Sequence, residues 1–449
     1  MKGQLFKMKK LNITFCSFPD YASNAKALYE YMKERYKDSM NYTWIVYNES
    51  SVSLLRNKGI NALLIGSDEF KSYIPTTDVF FTTQGNLDGD KLKAKDSIYV
   101  ELWHGIGPKP VGFSQDNPSV EDIRGYNNIK EIVDYFIVPS EFWRLIFSSK
   151  FTVEYARIKN LGFPILDYFK NCDGKNNLSK VLKIDVNKFK KIIIFMPTFK
   201  KGFNHADVTQ TYDNIFNFKQ DYDEKKLNDF LEKNNYLLCV KKHPGEQINM
   251  NFKETDYIKN ISEEELINNQ ISINEIMNAF DLLITDYSSV GTEFIFLNRP
   301  VLFVVGDKDE YLKNRGILFG NLDFWTPGPC CDNISDLLNE MEKLLTDTTY
   351  YQKERKEKRD LWFQDRKDGG CQEICDFLFE DSSLRKNLKR YNSELLSLRR
   401  DNNDFTNIIK EQENTIKKLT ESDIELKAIR ASKSWQLLER LRKIKNHKR

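Results

Sequence analysis

At 449 residues and 40% hydrophobic, the chain is long enough for roughly two or three domains with full cores. No run approaches about 18 consecutive apolar residues, which argues against a membrane-spanning helix, and residues 11–16, after four lysines in the first ten positions, are too short and polar for a signal peptide. The net charge of +2 hides an asymmetry: residues 431–449 hold seven Lys/Arg against one Glu, a net +6, so the first 430 residues sum to −4. That distribution speaks against a general nucleic-acid binder and for a local anionic partner at the tail.

Strand and helix patterns alternate along the chain. Residues 11–16 predict a strand and 22–36 a helix, followed by strands at 42–47, 62–65, 79–83 and 97–102. A strand at 134–138 leads into a helix over 140–149, and 155–161 closes the first half. The polar stretch 171–188 reads as an inter-domain linker, after which strands restart at 191–196, 236–240, 281–285 and 300–305. Two blocks of βα units predict two doubly wound α/β domains facing each other across a cleft, at 1–170 and 189–348. Residues 349–382 follow as a helix crossing back to the first domain. Seven cysteines, an odd number with no Cys-x-x-Cys pair and no histidine near Cys330-Cys331 or Cys371/Cys375, read as free thiols in a reducing cytoplasm, with no metal site.

Beyond 382 the pattern changes. Leu388, Tyr391, Leu395, Leu398, Asn402, Phe405, Ile409, Gln412, Ile416 and Leu419 alternate at spacings of three and four, a coiled-coil seam of about four and a half heptads within 383–430. Either this seam joins chains into a homo-oligomer, or a long helix docks on its own domain. In the tail 431–449, Trp435, Leu438, Leu441 and Ile444 form an apolar stripe among basic residues. Such a stripe suits an anionic membrane surface, with a solvated basic tail as the alternative.

Three segments carry the chemistry. Thr285-Asp286-Tyr287-Ser288-Ser289 turns an apolar strand into an amphipathic helix, where unpaired N–H groups and hydroxyls make a phosphate seat; an ordinary Asp/Ser N-cap is the competing reading. His104, in Leu102-Trp103-His104-Gly105, and His243, in His243-Pro244-Gly245, each follow a predicted strand. They are two of four histidines, both at carboxyl strand ends, where open α/β sheets bind ligands. Trp103 either shields His104 or fills the core, and Gly105 either admits a ligand closely or makes a tight turn.

The stretch 97–329, about half of the chain, resembles the CDP-glycerol glycerophosphotransferases of teichoic acid and capsular polymer synthesis. The matching pieces are Trp103-His104-Gly105, Gly162-Phe163-Pro164-Ile165-Leu166-Asp167, Met196-Pro197-Thr198-Phe199-Lys200, His243-Pro244 and Ile284 to Val290, followed by Leu297-Asn298-Arg299-Pro300, Arg315-Gly316 and Pro327-Gly328-Pro329. The chain departs from the pattern at Ile106-Gly107-Pro108-Lys109, at Lys200 in place of arginine, at Ile165 where an arginine is missing, and at Glu293 in place of aspartate. The first of these puts the acceptor in doubt more than the donor.

The resemblance implies a GT-B-like pair of Rossmann-type domains, the second holding the donor and the first presenting the acceptor. The donor would be CDP-glycerol, CDP-ribitol or a related alditol, with no cofactor and no metal. An acceptor hydroxyl on a lipid-linked saccharide or polymer would attack the alditol phosphorus and release CMP. His104 is the candidate base. His243, Thr198, Lys200, Ser288 and Ser289 would hold the donor phosphates, with Asp286 orienting the loop and Glu293 reaching the ribose; Gly105 and Lys109 lie on the acceptor side. The expected location is the cytoplasmic face of the cell membrane. A GT-B glycosyltransferase using a nucleotide sugar and a non-catalytic scaffold are the other readings.

Overall fold

Runs such as Ile192 to Phe195 and Leu282 to Ile284, buried along their whole length, are what a parallel sheet covered on both faces requires. The computed structural model describes residues 10–84, 97–198, 211–212, 214–219, 221–242, 249–250, 252–380 and 414. Residues 1–378 pack as one compact unit and 379–449 as a second. The coiled-coil seam, apart from position 414, and the basic tail lie outside the described residues, as do His243 and Lys200.

The first sheet holds β1 (Leu11–Cys16), β2 (Met40–Val46), β3 (Ala62–Leu64), β4 (Val79–Thr82), β5 (Ile98–Glu101), β6 (Tyr135–Val138) and β7 (Ile158–Asn160). Their order is β3-β2-β1-β4-β5-β6-β7, every pair parallel. The second half contains β8 (Lys191–Met196), β9 (Thr211–Tyr212), β10 (Tyr236–Val240), β11 (Asn249–Met250), β12 (Ile258–Asn260), β13 (Leu282–Thr285), β14 (Val301–Val304) and β15 (Cys330–Cys331). Six of these form a parallel sheet ordered β12-β10-β8-β13-β14-β15, while β9 and β11 pair separately. In both sheets the strand order reverses at an inner pair, β1/β4 and β8/β13, and crevices for ligands open at such switch points.

The halves share one apolar core. Trp143 of the first lies tilted against Trp325 of the second, ring centroids 6.0 Å apart, and Trp325 stacks on Trp362 at 5.6 Å and an interplanar angle of 17°. Lys26, 3% exposed on the helix Ser23–Tyr36, reaches across to Glu275 at 2.5 Å.

The polar stretch 171–188 lies between β7 and β8 and contains the helix Gly174–Leu182, whose Leu178 and Val181 enter the core while its polar residues face outward. One expectation needs correction: the returning segment is not one helix. Gln352–Phe363 stops at Gln364 (φ 53°), and a second helix, Cys371–Cys375, restarts after Gly369-Gly370. Asp167 accepts the Gly369 N–H at 2.8 Å, so the end of the Gly162–Asp167 motif pins the return of the chain.

Candidate active site

β5 ends on Glu101, and the chain turns sharply at Trp103, whose φ of 53° is left-handed, a conformation costly for a bulky side chain unless its surroundings hold it. They do so at both ends of the residue. The Glu101 carboxylate accepts the Trp103 N–H at 2.7 Å, and the Asn24 amide donates to the Trp103 carbonyl at 2.8 Å and to Leu102 at 3.1 Å. Asn24 also accepts the Ile165 N–H at 2.9 Å, so the position where arginine is missing serves as a backbone anchor for the histidine turn. Trp103 fills the core against Phe136, Phe147 and Phe151, and its ring lies on that of His104 at 4.5 Å.

His104 stands open to the cleft, with Nδ1 2.8 Å from the Thr83 carbonyl oxygen at the end of β4. A carbonyl can only accept, so Nδ1 carries the proton and Nε2 is left as the basic nitrogen. Desolvation inside the cleft pushes the imidazole pKa below its ordinary value; the Thr83 carbonyl opposes this, and Lys109 and Lys150 add to it.

The second half brings the serine turn to the same place. At the β8/β13 switch point, Asp286 accepts the Thr198 N–H at 2.8 Å and Thr285 donates to the Met196 carbonyl at 2.7 Å, locking the two strand-end loops together. Asp286 is thus a loop tie and not the helix cap. The helix Ser289–Phe294 is one short turn and a half, and Ser288 at its N-cap makes no capping hydrogen bond, leaving the hydroxyl unused for that purpose. Tyr287 holds the turn from behind, donating to Asp307 at 3.1 Å and stacking on Tyr311 at 3.8 Å. A small cavity beside Asp286 is lined by Phe195, Pro197, Phe216, Val304 and Asp307. The wide groove around Cys172, Lys183 and Asn187 contains none of the candidate residues.

The two loops meet at the glycines. A Cβ on Gly105 would lie 2.8 Å from the Ser289 hydroxyl and 3.4 Å from Glu293 Oε1, and one on Gly107 would lie 2.8 Å from the Ser289 Cα. Pro108 then accepts the Leu318 N–H at 2.8 Å from the second half. Glu293 is 6% exposed, and burial pushes its carboxyl up to about 8 against the Ile106 N–H and Ser289 hydroxyl, which favour the charged form. Its Oε1 completes no hydrogen bond among the described residues. Glu293 therefore sits behind the seat as a neutral acid at pH 7, not as an exposed carboxylate.

Lys241 is buried and paired with Glu263 at 2.8 Å, which fixes the chain just after β10. Among the described residues no group of three His, Cys, Asp or Glu side chains is arranged to hold a metal ion, and all seven cysteines are free. Asn24, Glu101 and Lys150 were not singled out from sequence. Asn24 left one signal: a polar residue on the same helical stripe as Leu28 and Met32.

Two doubly wound parallel-sheet halves, with the glycines that follow His104 in one packed against the Ser289 turn of the other, are the architecture of a GT-B-like group-transfer enzyme. The chain belongs to the CDP-glycerol:poly(glycerophosphate) glycerophosphotransferase family, whose profile matches residues 1–380. It is an enzyme that transfers glycerol phosphate, and the sugar-transferase and scaffold readings are set aside. It is 29% identical to a teichoic acid glycerol-phosphate primase of Bacillus subtilis (strain 168), over 72% of this chain and 81% of that protein. It is 28% identical to a teichoic acid poly(glycerol phosphate) polymerase of Bacillus spizizenii, over 76% and 85%. The solved wall teichoic acid polymerase TagF has the same fold, with a TM-score of 0.67 and 22% identity over 86% of this chain and 90% of that one.

Proposed function

We propose that the cleft joins glycerol phosphate from CDP-glycerol to a hydroxyl of a growing teichoic acid-like polymer, with His104 as the base. The acceptor oxygen attacks the phosphorus that bears glycerol, its proton passes to His104 Nε2, the bond from that phosphorus to the CMP oxygen breaks, and CMP leaves as a phosphodiester forms. The observation that carries this is the contact of Gly105 with Ser289, which sets the base beside the donor seat. The uncapped Ser288 turn, with Ser289 and Thr198, offers hydroxyl and N–H groups to the pyrophosphate as charge moves onto CMP. His243 and Lys200 complete the donor side in this proposal, and Lys109 the acceptor side. The first half presents the acceptor, and the second holds the nucleotide beside Asp286. Glu293 supports the seat through its neighbours.

The heptad seam at 388–419 supports self-association, and the basic stripe from Trp435 supports docking on the anionic inner face of the cell membrane. The decisive experiment measures CMP release from CDP-glycerol and CDP-ribitol with a polymer acceptor. Loss of release in His104→Ala by about 10²-fold or more, with donor binding retained, is expected for a general base. Full activity in that variant would sink the assignment.

A further inference from the structure

We infer that Glu293 is a positioning residue for the transfer: its buried carboxylic acid clips the turn that carries His104 to the turn that carries Ser288 and Ser289, so the two loops meet while it holds a proton and part when that proton is lost. The inference rests on the reading of His104 as base and of the serine turn as donor seat. Glu293 stands four residues after Ser289 on the helix Ser289–Phe294, so both side chains lie on one face. That face meets the first half. The point where Gly105 lacks a Cβ lies 2.8 Å from the Ser289 hydroxyl and 3.4 Å from Glu293 Oε1. The carboxyl takes hydrogen bonds from the Ser289 hydroxyl of its own half and from the Ile106 N–H of the other, two residues beyond His104. One side chain therefore spans the junction of the two loops, and an aspartate in its place would stop a methylene short of Ile106.

Oε1 makes no hydrogen bond among the described residues, which leaves the Ile106 N–H and the Ser289 hydroxyl to the other oxygen. Protonated, the group can stay in this dry contact. Ionised, it would carry charge on an oxygen that no donor serves, in surroundings that penalise charge. Water reaches that oxygen only if the turns separate. The titratable side chains on the loops packed around it are His104 and Lys109 on the histidine turn and Asp286 on the serine turn, and its own helix holds no other. None of these charges sets its pKa: burial raises it to about 8, against the two hydrogen bonds. The acid form is the one the closed contact prefers, so the clip is intact below about pH 8 and fails above it.

The test follows CMP release from CDP-glycerol by the full chain between pH 6.5 and 9.5, for the wild type, Glu293→Gln and Glu293→Asp. Wild-type kcat is expected to fall by about tenfold per pH unit above 8, as for loss of one essential proton. Glutamine still accepts from Ile106 and Ser289 but cannot ionise. Its kcat at pH 7 should drop only a few-fold, and its alkaline limb should vanish. Aspartate should lose about tenfold or more at every pH. Tryptophan emission of the ligand-free chain gives a second readout, because Trp103 stacks on His104 at 4.5 Å. It should titrate near pH 8 in the wild type and not in Glu293→Gln. A wild-type kcat that stays level from pH 7 to 9, or a glutamine variant that keeps the limb, would overturn the inference while leaving the phosphotransferase reading intact. Should Glu293→Gln not fold, the wild-type profile decides by itself. If no CMP is released at any pH, the phosphotransferase reading fails, and the emission titration alone judges the clip.

Discussion

His104 Nδ1 lies 2.8 Å from the carbonyl oxygen of Thr83, and this bond leaves Nε2 as the basic nitrogen. Thr83 directly follows β4 and His104 follows β5, so two neighbouring strands set one tautomer. Desolvation, with Lys109 and Lys150, lowers the imidazole pKa, and in the proposed role the base is active only when neutral. The acid limb of kcat/KM is therefore expected below about pH 6.5, the ordinary histidine value. A limb above that value would contradict the assignment.

Gly107→Ala places a methyl group 2.8 Å from the Ser289 backbone, which cannot yield as a side chain would. The two loops must part. A misplacement of about an ångström between reacting groups costs on the order of 100-fold in rate, so kcat should fall by that order while the far-UV circular dichroism stays unchanged. Wild-type turnover would show that the loops need not touch.

Glu293 links pH to stability. Its carboxyl titrates at about 8 in the folded chain, well above an unfolded glutamate, so between these values the folded state holds the extra proton. Stability is fully present below the unfolded pKa and falls as pH rises toward 8, by up to about 1.4 kcal/mol per pH unit from this group. Glu293→Gln should flatten the decline of Tm between pH 5 and 8. An identical Tm slope in the variant would rule out a neutral Glu293.

Asn24→Ala removes one amide that serves the carbonyls of Leu102 and Trp103 and the N–H of Ile165. Leaving such buried groups unpaired costs about 1–3 kcal/mol each. Thermal melting should drop by several degrees. Turnover should fall further than the loss of folded protein explains, because Trp103 is no longer held in its left-handed turn. Equal losses in both would make Asn24 purely structural.

The seam from Leu388 to Leu419 predicts association of two or more chains. Light scattering should report a multiple of the chain mass for the full protein and a single-chain mass after deletion of residues 383–449. An unchanged state of association would refute the coiled coil.

Much of the fold was legible because parallel strands bury both faces and so read as plain apolar runs, as Ile192–Phe195 does. The places of two candidate segments were legible for the same reason: His104 and the Asp286–Ser289 turn follow strands, so local sequence put them at the carboxyl edges of the sheets. The helix Gly174–Leu182 was not legible, because one that buries little beyond Leu178 and Val181 looks polar in sequence. The burial of Lys241 was not legible either, because its partner, Glu263, lies on another element.

The sequence by itself determined which residues stand at strand ends, since period and apolar run are local properties. Only the tertiary structure decided that Gly105 meets Ser289, that Asn24 holds Trp103, and that Lys241 is buried against Glu263. Each of these relations joins residues tens to hundreds of positions apart, and burial, which sets their charge and cost, exists only once the two sheets have closed on one another.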